Sequence, residues 1–132
     1  MKKVILKLKK PVNHSDLRNL STINTIKINQ KNISQIKIFV NRKESTVGNF
    51  FSIKISKIKS KINEVEMYGC NKFCNYLGYG WKKDKLFVNS DLGFNIGFKM
   101  ISGEIKINGS VDNFLGAEMS GGEIYVKGNA GN

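Results

Sequence analysis

Leu86-Phe87-Val88-Asn89-Ser90, Ile105-Lys106-Ile107-Asn108-Gly109 and Ile124-Tyr125-Val126-Lys127-Gly128 are three versions of one short alternating run, each starting 19 residues after the last. Gly78, Gly97 and Gly116 keep the same step, and so do Trp81, Met100 and Met119, and Leu92, Val111 and Ala130. A fixed step with apolar columns is what stacked units need, because each buries its face only against its neighbours. Nineteen residues are too few for a helical hairpin and match one coil of a β-solenoid. Between Gly103 and Gly109, and again between Gly122 and Gly128, apolar and polar residues alternate strictly, which is a strand signal. Leu86, Ile105 and Ile124 then form one interior column, Val88, Ile107 and Val126 a second, and Trp81, Met100 and Met119 a third. The repeat glycines Gly78, Gly97, Gly103, Gly109, Gly116, Gly122 and Gly128 stand where a coil must turn. The predicted fold class is therefore mainly β: a right-handed single-stranded β-helix of 19-residue coils behind a small basic α+β N-terminal cap region.

Upstream of the repeat the pattern changes. Lys3 to Lys9 alternates Val4, Leu6 and Leu8 with other residues and reads as an edge strand, ended by Pro11, the chain's one proline. Asn13 to Leu20 reads as polar loop, Asn32 to Ile36 as a short helix, Lys37 to Val40 as a strand and Asn41-Arg42-Lys43 as a turn. Val47, Phe50, Phe51, Ile53 and Ile55 supply apolar surface to cover the end of a stack, where an open coil would expose unpaired N–H and C=O groups. The basic run from Lys54 to Lys61 breaks the pattern, which sets residues 1–62 as the cap region and 63–132 as a β-helix of about three coils. Val65, Met67 and Gly69 open the first coil 21 residues before Leu86, Val88 and Ser90, with a two-residue insertion near Cys70 to Phe73. Asp84 stands where later coils have Gly103 and Gly122.

The net charge of +12 invites a nucleic-acid reading, but its distribution argues against one. Residues 1–68 hold 15 Lys/Arg against 4 Asp/Glu, whereas residues 69–132 hold 7 against 6. The excess sits on the N-terminal half without a nucleic-acid-binding motif, so nucleic acid is not an expected partner. No apolar run of about 18 residues is present, so no membrane span is expected. Without a secretory signal, and with two cysteines too few for a disulfide framework, the expected location is cytoplasmic.

The residues able to do chemistry are sparse. His14 is the single histidine and has no Cys–His–Asp set around it in the sequence. Cys70 and Cys74 would need two further ligands to hold a metal and read as packed thiols. Gly78-Tyr79-Gly80 lacks the third glycine and the lysine of a phosphate loop. Glu104 and Glu123 fall on a regular outward face above Lys85, where carboxylates are solvated rather than set up for acid–base work. Lys106, between Phe87 and Tyr125 in the same ladder, suits docking. No residue is assigned a catalytic, cofactor-binding or metal-binding role.

Gly116-Ala117 followed by Met119-Ser120-Gly121-Gly122-Glu123-Ile124-Tyr125-Val126-Lys127-Gly128-Asn129-Ala130-Gly131 resembles the GXGXG domain shared by the glutamate synthase large subunit and the C-type subunit of formylmethanofuran dehydrogenase. Leu6 to Pro11, Asn41-Arg42-Lys43 and Thr46-Val47-Gly48-Asn49-Phe50-Phe51 are similar to the segment preceding the repeats in the latter. They are also similar to the C-type subunit of the bacterial formyltransferase/hydrolase complex; Val40 replaces a glycine of the segment and Asn49 an aspartate. The resemblance implies a non-catalytic structural subunit in one-carbon metabolism, of the formyl-group, methanofuran or tetrahydromethanopterin type. It implies A-, B- and D-type partner subunits and no cofactor on this chain, the tungsto- or molybdopterin and iron–sulfur clusters of the archaeal-type enzyme lying on other subunits. Family members continue through further coils beyond Gly128-Asn129-Ala130-Gly131-Asn132, so a C-terminally shortened form is expected, with an open edge after residues 110–128 that should recruit a partner or aggregate. Two alternatives stand beside it: a glutamate synthase-type GXGXG module, or an unrelated β-solenoid that binds polysaccharide or nucleic acid.

Overall fold

The structure, a computed structural model, describes residues 1–131. The chain runs β1 (Lys2–Leu8), β2 (Ser15–Asp16), a 3-10 helix (Arg18–Asn24), α1 (Gln30–Ser34), β3 (Lys37–Val40), β4 (Lys43–Thr46) and α2 (Val47–Phe50). It continues through β5 (Phe51–Lys57), β6 (Glu64–Tyr68), β7 (Cys74–Asn75), β8 (Lys85–Asn89), β9 (Glu104–Ile107) and β10 (Glu123–Val126). Six strands form one sheet in the order β10-β9-β8-β6-β1-β5, and four form a second in the order β4-β3-β2-β7.

The large sheet follows from a single alternation. Val4 and Leu6 lie opposite Val65 and Met67, which lie opposite Leu86 and Val88, then Ile105 and Ile107, then Ile124 and Val126, all in parallel register. One-face burial fixes this register, because a slip by one residue would turn every inward side chain out. Val4, Leu6, Val65, Met67, Leu86, Val88, Ile105 and Ile107 are accordingly buried. β5 then pairs antiparallel with the far side of β1, with Ile55 opposite Val4 and Ile53 opposite Leu6.

The expected fold class is corrected by this arrangement. The protein is a small α/β fold with mixed sheets, 12% helix and 35% strand, and not a mainly-β right-handed single-stranded β-helix standing behind a cap. The step of 19 residues survives as the register of β8, β9 and β10, but only four or five residues of each step are strand. The connecting runs are turns, joined elsewhere by an isolated bridge between Val111 and Ala130. The first half of the chain enters the same sheet rather than lying in front of it, and β1 has a partner on each side where an edge strand was expected. The repeat pattern alone stacks the coils only on one another, because nothing in Val4–Leu8 names the strand it will join.

Helices and small polar groups close the remaining sides. α1 starts at Asn29, whose side chain accepts from the Asn32 N–H at 2.8 Å, a standard N-cap. Leu20 and Ile23 of the 3-10 helix, Ile33 of α1 and Val47 of α2 are buried in the common core. The last residue of the 3-10 helix, Asn24, donates to the Asp84 carboxylate at 3.0 Å and accepts from the Lys82 N–H at 3.1 Å. Asp84 also accepts from the Asn63 N–H at 3.2 Å. These bonds explain why Asp84 interrupts the glycine column: the side chain clasps the first half of the chain to the repeat, and both Asn24 and Asp84 are buried.

Candidate functional site

The short strands β2 and β7 lie side by side, Ser15 opposite Cys74 and Asp16 opposite Asn75, while β3 flanks β2 on its other side with Phe39 opposite Asp16. Where this sheet meets the turns of the repeat there is a cleft of about 270 Å³, walled by His14, Asp16, Phe39, Arg42, Tyr76 and Phe94. Its polar floor is already satisfied from within. The Ser15 hydroxyl donates to the Phe73 carbonyl at 3.0 Å, and the Asn75 side chain accepts from the Phe94 N–H at 2.9 Å. The Asp16 carboxylate is held by the Arg18 guanidinium, with Nε at 2.9 Å from Oδ2 and Nη2 at 2.9 Å from the same oxygen. That guanidinium lies 4.1 Å from the Tyr76 ring centre, and Tyr76 stands edge-on to Phe94 at 5.6 Å and to Phe98 at 6.3 Å. The result is a recess whose walls set Phe39, Tyr76 and Phe94 beside His14 and Arg42, with the Ser15, Asp16 and Asn75 side chains bonded within the protein.

The cysteines sit directly behind it. Cys70 and Cys74 are both free and buried. The Cys70 thiol donates to the Cys74 sulfur, which pulls the Cys74 thiol down to about 7 against the opposing effect of burial; the Asn71 backbone and Ser15 hydroxyl add to the lowering. The same bond, with burial, pushes the Cys70 thiol well above its ordinary range. A thiolate among donors is stabilised in this way wherever it occurs. Ultraviolet thiolate absorbance followed against pH should therefore show a single low step near 7, absent in Cys74→Ser; a first step in the ordinary thiol range near 8.5 would refute it. Among the described residues, no group of three or more His, Cys, Asp and Glu side chains comes together to hold a metal ion.

The residues singled out in the sequence fall as follows. Trp81 and Met100 are fully buried and Met119 half-buried, and the Ile101 and Ser120 N–H groups donate to the Trp81 and Met100 carbonyls at 2.9 and 2.8 Å. Leu86, Ile105, Val88 and Ile107 are buried, whereas Ile124 and Val126 on the last strand are half-buried. Gly78, Gly97, Gly116, Gly103 and Gly122 all have positive φ, and Gly109 and Gly128 follow the ends of β9 and β10. Glu104 and Glu123 stand opposite each other in the ladder beyond Lys85, as expected; Glu104 forms an ion pair with Lys106 at 3.4 Å, and Glu123 accepts from the Tyr125 hydroxyl. His14 is exposed and packs its edge on the Phe73 ring at 5.7 Å. The sequence pattern marks neither Arg18 nor the cleft side chains Phe39, Arg42 and Phe94, because they come from three separate segments, Phe39 and Arg42 sharing the β3–β4 hairpin. The usable signal is the density of aromatic residues in the turns from Phe73 to Phe98. Among the described residues no helix is long and apolar enough to cross a membrane.

This fold has a solved counterpart. A chain of the formyltransferase/hydrolase complex (FhcABCD) from Methylorubrum extorquens, crystallised with methylofuran, matches with a TM-score of 0.82 at 22% identity. The match covers 96% of this chain and 47% of the FhcABCD chain, so the present chain spans about half the length of its counterpart. At that identity the likeness is one of fold. No protein-family model matches the chain, and no curated protein matches it.

Proposed function

We propose that this chain is a non-catalytic structural subunit of a formyltransferase/hydrolase-type complex in one-carbon metabolism, in the position of the C-type subunit. The observation that carries the proposal is the likeness of fold to a chain of FhcABCD over 96% of the residues. The resemblance of Asn41-Arg42-Lys43 and Thr46 to Phe51 to the segment before the repeats of C-type subunits supports the same assignment. So does the architecture: a rigid sheet with a buried inner face and an outer face of Lys85, Glu104, Lys106 and Tyr125 is a surface for assembly. In this reading the formyl chemistry belongs to the partner subunits, and the present chain holds them in place.

The test is purification of the tagged chain from its own cells under gentle conditions. Formyltransferase-like and amidohydrolase-like proteins in fixed ratio with it are the expected result. Molybdopterin- and ferredoxin-like partners would move the assignment to a formylmethanofuran dehydrogenase, and a chain that purifies alone would overturn both.

A further inference from the structure

We infer that the cleft between the β3–β4 turn and the repeat is a docking socket for a partner protein, taking a segment that presents a large apolar side chain beside a carboxylate. This rests on the subunit reading above for the existence of a partner, but the choice of surface and the chemistry of the segment come from the cleft itself.

The first observation is exposed aromatic surface. Phe39 and Phe94, both lining the cleft, are 45% and 39% exposed, and Phe73, which packs on the cleft residue His14, is 36% exposed. Clustered exposed aromatics around a recess are the usual anchor points of protein interfaces. A volume of about 270 Å³ admits one large side chain, and the internally satisfied floor leaves it nothing to read by hydrogen bonding. An apolar insertion is therefore the chemistry that fits.

The second observation is unbalanced charge. Asp16 is neutralised by Arg18, whereas no carboxylate among the described residues pairs with Arg42 at the rim. A partner carrying a carboxylate next to its apolar anchor answers both features.

The third observation concerns the backbone that presents Arg42. Val40 pairs with Lys43, so Asn41 and Arg42 form a two-residue hairpin turn, and both are left-handed, at φ 53° and 67°. Such turns favour glycine at the second position, and a long side chain there is strained. The strain is held by the segment around His14: the Asn13 and His14 N–H groups donate to the Asn41 side chain at 3.0 and 3.3 Å, and the Asn41 N–H donates to the His14 carbonyl at 2.7 Å. The turn is locked, and the residue it holds out is a free guanidinium facing an aromatic recess.

Aromatic rings beside cations also stack nucleic-acid bases. Here Arg18 covers Tyr76, while Phe39 and Phe94 stay part-exposed. Two part-exposed rings around a recess of about 270 Å³ suit one inserted side chain better than a row of bases.

The experiment compares the tagged full-length chain with Phe94→Asp, Arg42→Gly and Ile101→Asp, the last an exposed residue that does not line the cleft. Partners are identified and quantified by mass spectrometry, and melting temperatures are taken by circular dichroism. Phe94→Asp should lose at least tenfold of one co-purifying subunit and Arg42→Gly about three- to tenfold. Arg42→Gly should meanwhile melt at the same or a higher temperature, because it relieves a left-handed arginine. Ile101→Asp should keep its partners. Retention by both cleft variants, equal loss with Ile101→Asp, or no partner on the parent chain overturns the inference. So does tight binding of a fluorescein-labelled oligouridine that Phe94→Asp abolishes while protein partners remain. The identity of the partners decides the subunit reading; their dependence on Phe94 and Arg42 decides this one.

Discussion

Replacing Trp81 by alanine is expected to lower the free energy of unfolding by about 3–5 kcal/mol, a large share of the roughly 5–15 kcal/mol that holds a domain together. The indole is fully buried, and its Nε1–H donates to the Asp84 carbonyl at 2.7 Å. Alanine would leave a cavity in the common core, and it would remove one of the two donors, the other being the Glu104 N–H at 3.2 Å, from a buried carbonyl beside the Asn24–Asp84 clasp. The two effects add, because the ring supports the turn whose side chain makes that clasp. Trp81→Phe should fill most of the space but lose one of the two hydrogen bonds to that carbonyl, costing about 0.5–1.5 kcal/mol. Trp81 is the chain's one tryptophan, so the measurement is denaturant unfolding followed by circular dichroism. A loss under about 1 kcal/mol for Trp81→Ala, below the range for a buried aromatic, would show that the site collapses around the deletion.

Gly103→Ala is expected to cost about 2–4 kcal/mol, from left-handed strain and overpacking together. Gly103 has φ +83°, and a Cβ there would stand 2.5 Å from the Asp84 carbonyl oxygen and 3.0 Å from the Lys83 nitrogen. Both obstacles are backbone, and both are tied down: the Glu104 N–H donates to the Asp84 carbonyl at 3.2 Å and the Lys83 N–H to the Ser102 hydroxyl at 2.9 Å. Gly80 supplies the control, with φ +62° and nothing within 4 Å of an added Cβ. Gly80→Ala should show the conformational cost alone, about 1 kcal/mol. Equal losses in the two variants, read from denaturant midpoints at unchanged slope, would mean that close contact between successive repeats carries no energy.

The parts of the fold visible in the sequence are those written in one continuous stretch. Leu86/Val88, Ile105/Ile107 and Ile124/Val126 state their own register, and Val65/Met67 can be placed 21 residues ahead of the first pair because the alternation is the same. The turn at Asn41-Arg42 and the strand at Lys37–Val40 are equally legible. What stays hidden depends on partners far along the chain. Val4 and Leu6 look like any alternating strand until β6 is seen beside them. β2 and β7 are two residues each and have no period to read. Asp84 looks like an irregularity because its partner, Asn24, is 60 residues away. The cleft is invisible for the same reason, since a concave surface assembled from four segments leaves no mark on any one of them.

The position of β1 shapes how the protein comes into being. Its two neighbours are formed by residues 51–57 and 64–68, so β1 has no companion until synthesis has reached those segments. Parallel pairing across such separations closes a long loop before it yields any reward, and folds dominated by distant contacts mature in milliseconds to seconds rather than microseconds. During that interval Val4, Leu6 and Leu8 form a bare hydrophobic ribbon, a natural client for a chaperone.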